Sequence, residues 1–213
     1  MSSSPSSFQR LEARFYSFAA PWVYDRIVVG IGFRLLAGRL HDKVLSQGGR
    51  AVQAAGPRPI LDLPIGTAFF TSRWGRSGLV VGADIAVGMV KKAKTRAAEL
   101  EAEWLTTAQA DIRHLPFRDR SFGAIMCTNG LQVMPPLPIA LAELGRVLDQ
   151  DCPLFVCMIL FPLGALLPSS LRDRLPTVFK GRAQVLEELR SEGWTLTARD
   201  RSRLAMLFEA HQA

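Results

Sequence analysis

ILDLPIGTAFFTSRWGRSGLVVGAD, residues 60–84, holds two short apolar runs, each closed by a distinct kind of break. Ile60-Leu61-Asp62-Leu63 reads as a buried strand, and Pro64-Ile65-Gly66-Thr67 as the tight turn that ends it. A helix is expected next, through Trp74. Gly78 to Asp84 then reads as a second strand that ends in an acid. A strand, a turn, a helix and a second strand form a βαβ unit, and such units build parallel sheets.

The same alternation continues toward the C-terminus. A long helix is expected over 86–103, a third strand from Leu105 to Ala110, and a fourth from Phe122 to Cys127. A helix from Pro138 to Leu148, a fifth strand from Leu154 to Leu160 and a helix over 182–192 follow. Trp194–Arg201 and Arg203–Glu209 are close enough to pair as a hairpin. The expected fold class is α/β: a Rossmann-like, doubly wound, mostly parallel seven-stranded sheet with a terminal antiparallel hairpin.

Toward the N-terminus the pattern differs. Residues 1–7 are polar and read as a disordered tail rather than a secretion signal. Residues 8–50 read as a helical cap, with apolar groups recurring through Phe8, Leu11, Phe15, Phe18, Trp22 and Ile27. Pro21 is expected to break it and Gly48-Gly49 to end it. Residues 51–213 form the Rossmann-like domain. The stretch 159–181, ILFPLGALLPSSLRDRLPTVFKG, is apolar with proline breaks and reads as a lid or pocket wall.

The composition excludes several classes. With 48% hydrophobic residues the chain can build a substantial core, and its apolar runs are too short to span a bilayer. The net charge of +7 is not gathered into a basic run with interleaved aromatics, so no nucleic-acid partner is expected, although peripheral contact with a membrane stays open. Cys127, Cys152 and Cys157 have neither disulfide nor zinc spacing. They read as free thiols in a reducing, cytoplasmic compartment. No metal site is expected.

In a doubly wound sheet, ligands bind beyond the carboxyl ends of the strands. Three acids fall at such ends. Asp62 opens the first turn. Asp84 follows it by about 20 residues, the separation at which a carboxylate takes the two hydroxyls of a ribose. Asp111 follows the third strand and is placed to accept the amine of an adenine. Together they outline a nucleoside pocket.

These segments resemble class I S-adenosylmethionine-dependent methyltransferases of the quinone-biosynthesis and small-molecule type. ILDLPIGTAFFTSRW is similar to their glycine-rich first motif, and VVGADIAVGMVKKA to their second-strand motif. QADIRHLPFRDRSFGAIMCTNGLQVMPPLPIALAELGRVLDQD resembles their third and fourth motifs, and EELRSEGWTLTARDRS their late helix and sixth strand. The resemblance implies S-adenosylmethionine as cofactor. Asp62, Pro64 and Gly66 would shape the turn beside its methionine part, and Asp84 would hold the ribose. Ile85 and Met89 would pack near the adenine, with Asp111 on its amine and Ile112 beside the ring. Thr128 and Asn129 would border the sulfonium and the acceptor.

The first motif departs from the family pattern: Pro64, Gly66 and Ala68 stand where three glycines are usual. Gly123 stands where the family often has an acid, and Asp149-Gln150-Asp151 replaces a Pro-Gly-Gly turn. Two readings therefore stay open. One is methyl transfer to a hydrophobic small molecule, such as a polyketide, quinone, terpenoid or lipid-like acceptor. The other is a protein of this fold that binds S-adenosylmethionine or a related ligand without methylating, as a pseudoenzyme or a cyclase. Phe15, Phe18 and Trp22, set opposite the 159–181 stretch, motivate the hydrophobic acceptor. Candidates for a catalytic group are His41, Tyr24 (with Tyr16 beside it in the cap) and Asn129. His114 and His211 read as exposed turn and terminal residues.

Overall fold

A computed structural model describes residues 40–74, 78–133, 136–160, 177–202 and 204–213. The tail, most of the 8–50 cap with Tyr16, Tyr24, Phe15, Phe18 and Trp22, and most of the 159–181 stretch lie outside the described residues, as does the side chain of His41. The elements run α1 (Leu40–Ala55), β1 (Ile60–Asp62), β2 (Val80–Asp84), α2 (Val87–Glu99), β3 (Leu105–Gln109), β4 (Ala124–Thr128), α3 (Leu137–Val147), β5 (Leu154–Ile159), α4 (Arg182–Ser191), β6 (Trp194–Arg201) and β7 (Ala205–Gln212).

The seven strands form one sheet in the order β3-β2-β1-β4-β5-β7-β6. β1 to β5 are parallel neighbours, while β7 runs antiparallel to both β5 and β6. β7 is thus the single reversed strand, inserted between β5 and β6.

Side-chain alternation assigns the two faces. Ile60, Val80, Ala124, Met126 and Phe155 point to one side and pack with Ala51 and Ala55 of α1 and Ala93 and Ala97 of α2. Leu61, Ala83, Ile125, Cys127 and Val156 point to the other and pack with Leu137, Leu141 and Leu144 of α3 and Val185 and Leu189 of α4. β4 and β5 are buried along their whole length, as fits central strands covered on both faces. Among the described residues no helix is long and apolar enough to cross a membrane.

Two local expectations are corrected. Gly48 and Gly49 do not end a helix; they lie inside α1, which runs on to Ala55. A Cβ on Gly48 would sit 2.1 Å from Trp74 Cδ1, so glycine there admits the indole against the helix. The helix expected through Trp74 is only a 3-10 turn, Thr71–Arg73. Gly123 has a similar reason: a Cβ would meet Ala55 O at 2.6 Å, so the acid usual in the family would collide with the end of α1.

Gly48→Ala tests the contact between Trp74 and α1. Helix propensity alone would stabilise the variant by about 1 kcal/mol. The collision with a buried ring outweighs that gain, and urea unfolding is expected to show a net loss of about 1–3 kcal/mol. A gain in stability would contradict the packing described.

Candidate active site

β1 and β4 lie side by side at the middle of the sheet. The chain leaves β1 toward β2 on one side and leaves β4 toward β5 on the other, so the loops after them diverge. A crevice forms at such a switch point, between the turn after β1 and the turn after β4.

The first turn is tied down strand by strand. Leu63 N–H donates to Met126 O at 3.0 Å, and Ile65 N–H to Ala83 O at 2.8 Å. The Leu63–Pro64 peptide is cis. Ile65 lies across β2 at Gly82, where a Cβ would sit 1.9 Å from its Cδ1. Gly66 adopts φ 56° and Ala68 φ 58°, both left-handed. Glycine takes that conformation freely, whereas alanine is strained there by about 1 kcal/mol. Ala68 is nevertheless fully buried, clustered with Ile65, Trp74 and Ala51. Its methyl therefore belongs to the core beneath the turn.

Asp84 anchors the crevice. Only 6% exposed, it accepts from Gly66 N–H at 3.0 Å on one oxygen and from Ala86 N–H at 2.9 Å on the other. One side chain thus joins the first turn to the start of α2. Burial pushes its pKa up to about 6 against the opposing pull of those two amides and that of Ile85. Asp62 is buried beneath it and accepts from the Thr71 hydroxyl. Burial, with the nearby charge of Asp84 adding to it, raises Asp62 to about 7, while the Thr71 bond opposes the rise. The effect of the Asp84 charge on Asp62 places the first two strand-end acids near each other.

Asp111 is engaged differently. Its carboxylate accepts from Arg113 Nε at 3.0 and 2.9 Å and pairs with the same guanidinium through Nη2. Burial raises its pKa, but the Arg113 bonds outweigh this and hold it below the usual carboxylate value. A carboxylate has more acceptor positions than these, so the pairing orients it without consuming it. Met89 and Ile112 are buried, whereas Ile85 is 39% exposed and Pro64 and Gly66 are partly exposed.

The loop carrying Asp111 is clamped by a pair on α3. Arg146 Nη1 donates to Phe117 O at 2.9 Å and Asp119 Oδ1 at 2.6 Å, and Nη2 to Leu115 O at 3.1 Å. Glu143 accepts from Arg146 and, at 2.6 Å, from Leu115 N–H. Glu143 and Arg146 stand three residues apart on α3, a spacing that does not itself show what they grip. Nor does any local pattern mark Thr71, whose partner Asp62 lies across the turn.

At the end of β4, Thr128 is buried and Asn129 adopts φ 59°. His41 lies on the first turn of α1. His114 is exposed in the clamped loop. His211 is half-buried rather than exposed, set against Asp151 O at 3.1 Å and Glu209 Oε1 at 3.3 Å. It lies near the C-terminal end of the reversed strand β7, beside the start of β5 and so at the end of the sheet opposite the crevice.

Residues 61–156 match the family described as Methyltransferase domain. The demethylmenaquinone methyltransferase of Thermobifida fusca (strain YX) is 31% identical over 133 residues, which is 60% of this chain and 56% of that one. The matched stretch spans about half the length of the curated relatives. A geranyl diphosphate methyltransferase solved with GPP and sinefungin superposes with TM-score 0.73 at 14% identity, over 99% of this chain and 100% of that one. The [4+2]-cyclase SpnF superposes with TM-score 0.67 at 17% identity, over 80% of each chain. Both structures share the fold.

The fold and the matched segment support a class I S-adenosylmethionine-dependent methyltransferase. The matched stretch of this chain is similar to that domain, and proteins named demethylmenaquinone methyltransferase are among its relatives in sequence. The cofactor of the class, S-adenosylmethionine, fits the residues present: Gly66 supplies the left-handed turn, the methyl of Ala68 is buried in the core, and Asp84 is held in place by amides.

The raised acids have a consequence for stability. Unfolded, Asp62 and Asp84 ionise near 3.8; folded, near 7 and 6. Their contribution to stability is present below about pH 4 and lost as pH rises through 6 and 7. Urea unfolding at pH 4.5 and pH 7.5 is expected to show this fall in the wild type relative to an Asp62→Asn, Asp84→Asn double variant. Identical pH dependence in the two proteins would contradict the burial of ionisable acids at the crevice.

Proposed function

We propose that this chain transfers the S-methyl group of S-adenosylmethionine to a hydrophobic small molecule, with a quinone-type ring as the preferred acceptor. The observation that supports this most is the amide-held carboxylate of Asp84 at the switch point, backed by similarity to proteins named demethylmenaquinone methyltransferase.

In this reading Asp84 accepts the ribose hydroxyls. Asp111, steadied by Arg113 and the Glu143–Arg146 clamp, accepts the adenine amine. Ile85, Met89 and Ile112 flank the ring. Asp62, Pro64 and Gly66 shape the turn beside the methionine part, and Thr128 and Asn129 border the reacting centre. When bound, the cofactor supplies a methyl on a positively charged sulfur: the C–S pair stays with sulfur, giving S-adenosylhomocysteine, while the acceptor's pair forms the new bond and its proton leaves to water. Alignment and exclusion of water supply most of the acceleration, so the chain's task is to orient. His41, Tyr24 and Asn129 remain the residues proposed to touch the acceptor. The 8–50 cap and the 159–181 stretch are proposed to enclose it, and the reducing cytoplasm is the proposed compartment.

Titration calorimetry with S-adenosylhomocysteine is expected to show binding that Asp84→Ala weakens by about 1–3 kcal/mol, the worth of hydrogen bonds to a charged group. Only an ionised Asp84 accepts both hydroxyls, so wild-type affinity is expected to fall about tenfold from pH 7 to pH 5, passing through the pKa near 6. Unchanged affinity in the variant would refute the ribose role. Labelled S-adenosylmethionine with reduced demethylmenaquinone as acceptor tests turnover. Label in the organic phase is the expected result, and tight binding without transfer would favour the non-methylating reading.

A further inference from the structure

The charges of α2 run in an order that the crevice does not explain. Val87–Glu99 carries Lys91, Lys92, Lys94 and Arg96 with no acid before Glu99, and Glu101 and Glu103 follow. A helix dipole favours the reverse, with acids at the head and bases at the tail. The charges are not offset within the helix either. No acid stands three or four residues from Lys91 or Lys94, the reach of a helical ion pair. Other exposed bases do have one: Lys43 pairs with Asp200, Arg58 with Asp149 and Arg190 with Glu187.

Helical spacing fixes where these lysines point. Met89, Ala93 and Ala97 are buried on the inner side of α2. Val87, Lys91, Lys94 and Ala98 share the outer side and are exposed. At the head of that stripe Val87 is 48% exposed, and Ile85 in the turn before it is 39% exposed. The surface therefore runs from an apolar tip through a basic band to an acidic tail. The tip lies at the crevice end of the sheet, because Ala86, at the head of α2, is bonded to the carboxylate of Asp84 at the end of β2. The acidic tail leads into β3 at Leu105 and lies at the other end.

Apolar side chains in front, with lysines one and two turns behind them, match a bilayer whose surface is anionic. Val87 and Ile85 reach below the headgroups, while Lys91 and Lys94 keep their ammonium groups among the phosphates. The positive end of the helix dipole adds to the attraction. An acidic protein or a nucleic acid would match the basic band and leave the apolar tip in water. The acids at the tail are repelled by the same surface, so the helix tilts with its head down. We propose that the head of α2 docks this chain on an anionic phospholipid surface through Val87, Lys91 and Lys94, with Ile85 beside them and the mouth of the crevice turned toward the bilayer. Docking of this kind requires neither cofactor nor methyl transfer.

The test is sedimentation of the full chain with vesicles of phosphatidylcholine alone, and of phosphatidylcholine mixed with phosphatidylglycerol. Binding is expected only to the mixed vesicles, and added salt is expected to release it. Lys91→Ala with Lys94→Ala is expected to lower binding by about 10- to 30-fold. Alanine favours the helix, so the thermal midpoint of this variant is expected to hold or rise. Val87→Ser, which leaves the charge unchanged, is expected to weaken binding several-fold. Arg120→Ala with Arg190→Ala removes the same charge near the ends of α3 and α4, away from the crevice, and is expected to bind like the wild type. No binding to the mixed vesicles, equal binding to phosphatidylcholine alone, full binding by Val87→Ser, or an equal loss in the arginine variant would overturn the proposal. So would a wild type that ignores vesicles but forms dimers that the lysine variant abolishes, which would give this face to a second copy.

Discussion

The Asp84 carboxylate occupies both of its oxygens with backbone amides, one from Gly66 in the turn after β1 and one from Ala86 at the head of α2. Those amides come from segments separated by a whole strand, so the bond pair sets the distance between the first loop and the second strand. Ile65 reinforces it by lying over β2 where Gly82 leaves room. Because β1 also pairs with β4, any shift of this turn would be felt at Leu63–Met126 and at the far wall of the crevice. Ionised acids in so dry a place are disfavoured, and the amides keep Asp84 closer to ionisation than Asp62.

Around that bridge the crevice has two differently built walls. The nucleoside wall is rigid and internally satisfied, its Asp111 loop held by Arg113 and by the Glu143–Arg146 pair. The opposite wall, after β4, carries acceptors that the protein leaves unmatched. Fold alone does not decide the chemistry, as the likeness to both a methyltransferase and a cyclase shows. The residues of the second wall bear on that question more than the sheet does.

Much of this was legible in the chain. Continuous apolar runs such as Ala124–Thr128 and Leu154–Ile159 announce buried parallel strands, and Asp62, Asp84 and Asp111, at the ends of the first three strands, mark the ligand side. What stayed hidden depends on contacts across space. Gly48 and Gly49 look like a stop signal until Trp74 is seen against the helix. Ala68 looks like an obstruction until its methyl is found in the core.

The measurement that bears most directly on the amide-held carboxylate is a crystal structure of the chain with S-adenosylhomocysteine. The ribose hydroxyls are expected on the Asp84 oxygens, with the thioether sulfur between the Gly66 turn and Thr128–Asn129. A nucleoside bound elsewhere, or Asp84 left with only its backbone partners, would contradict the site.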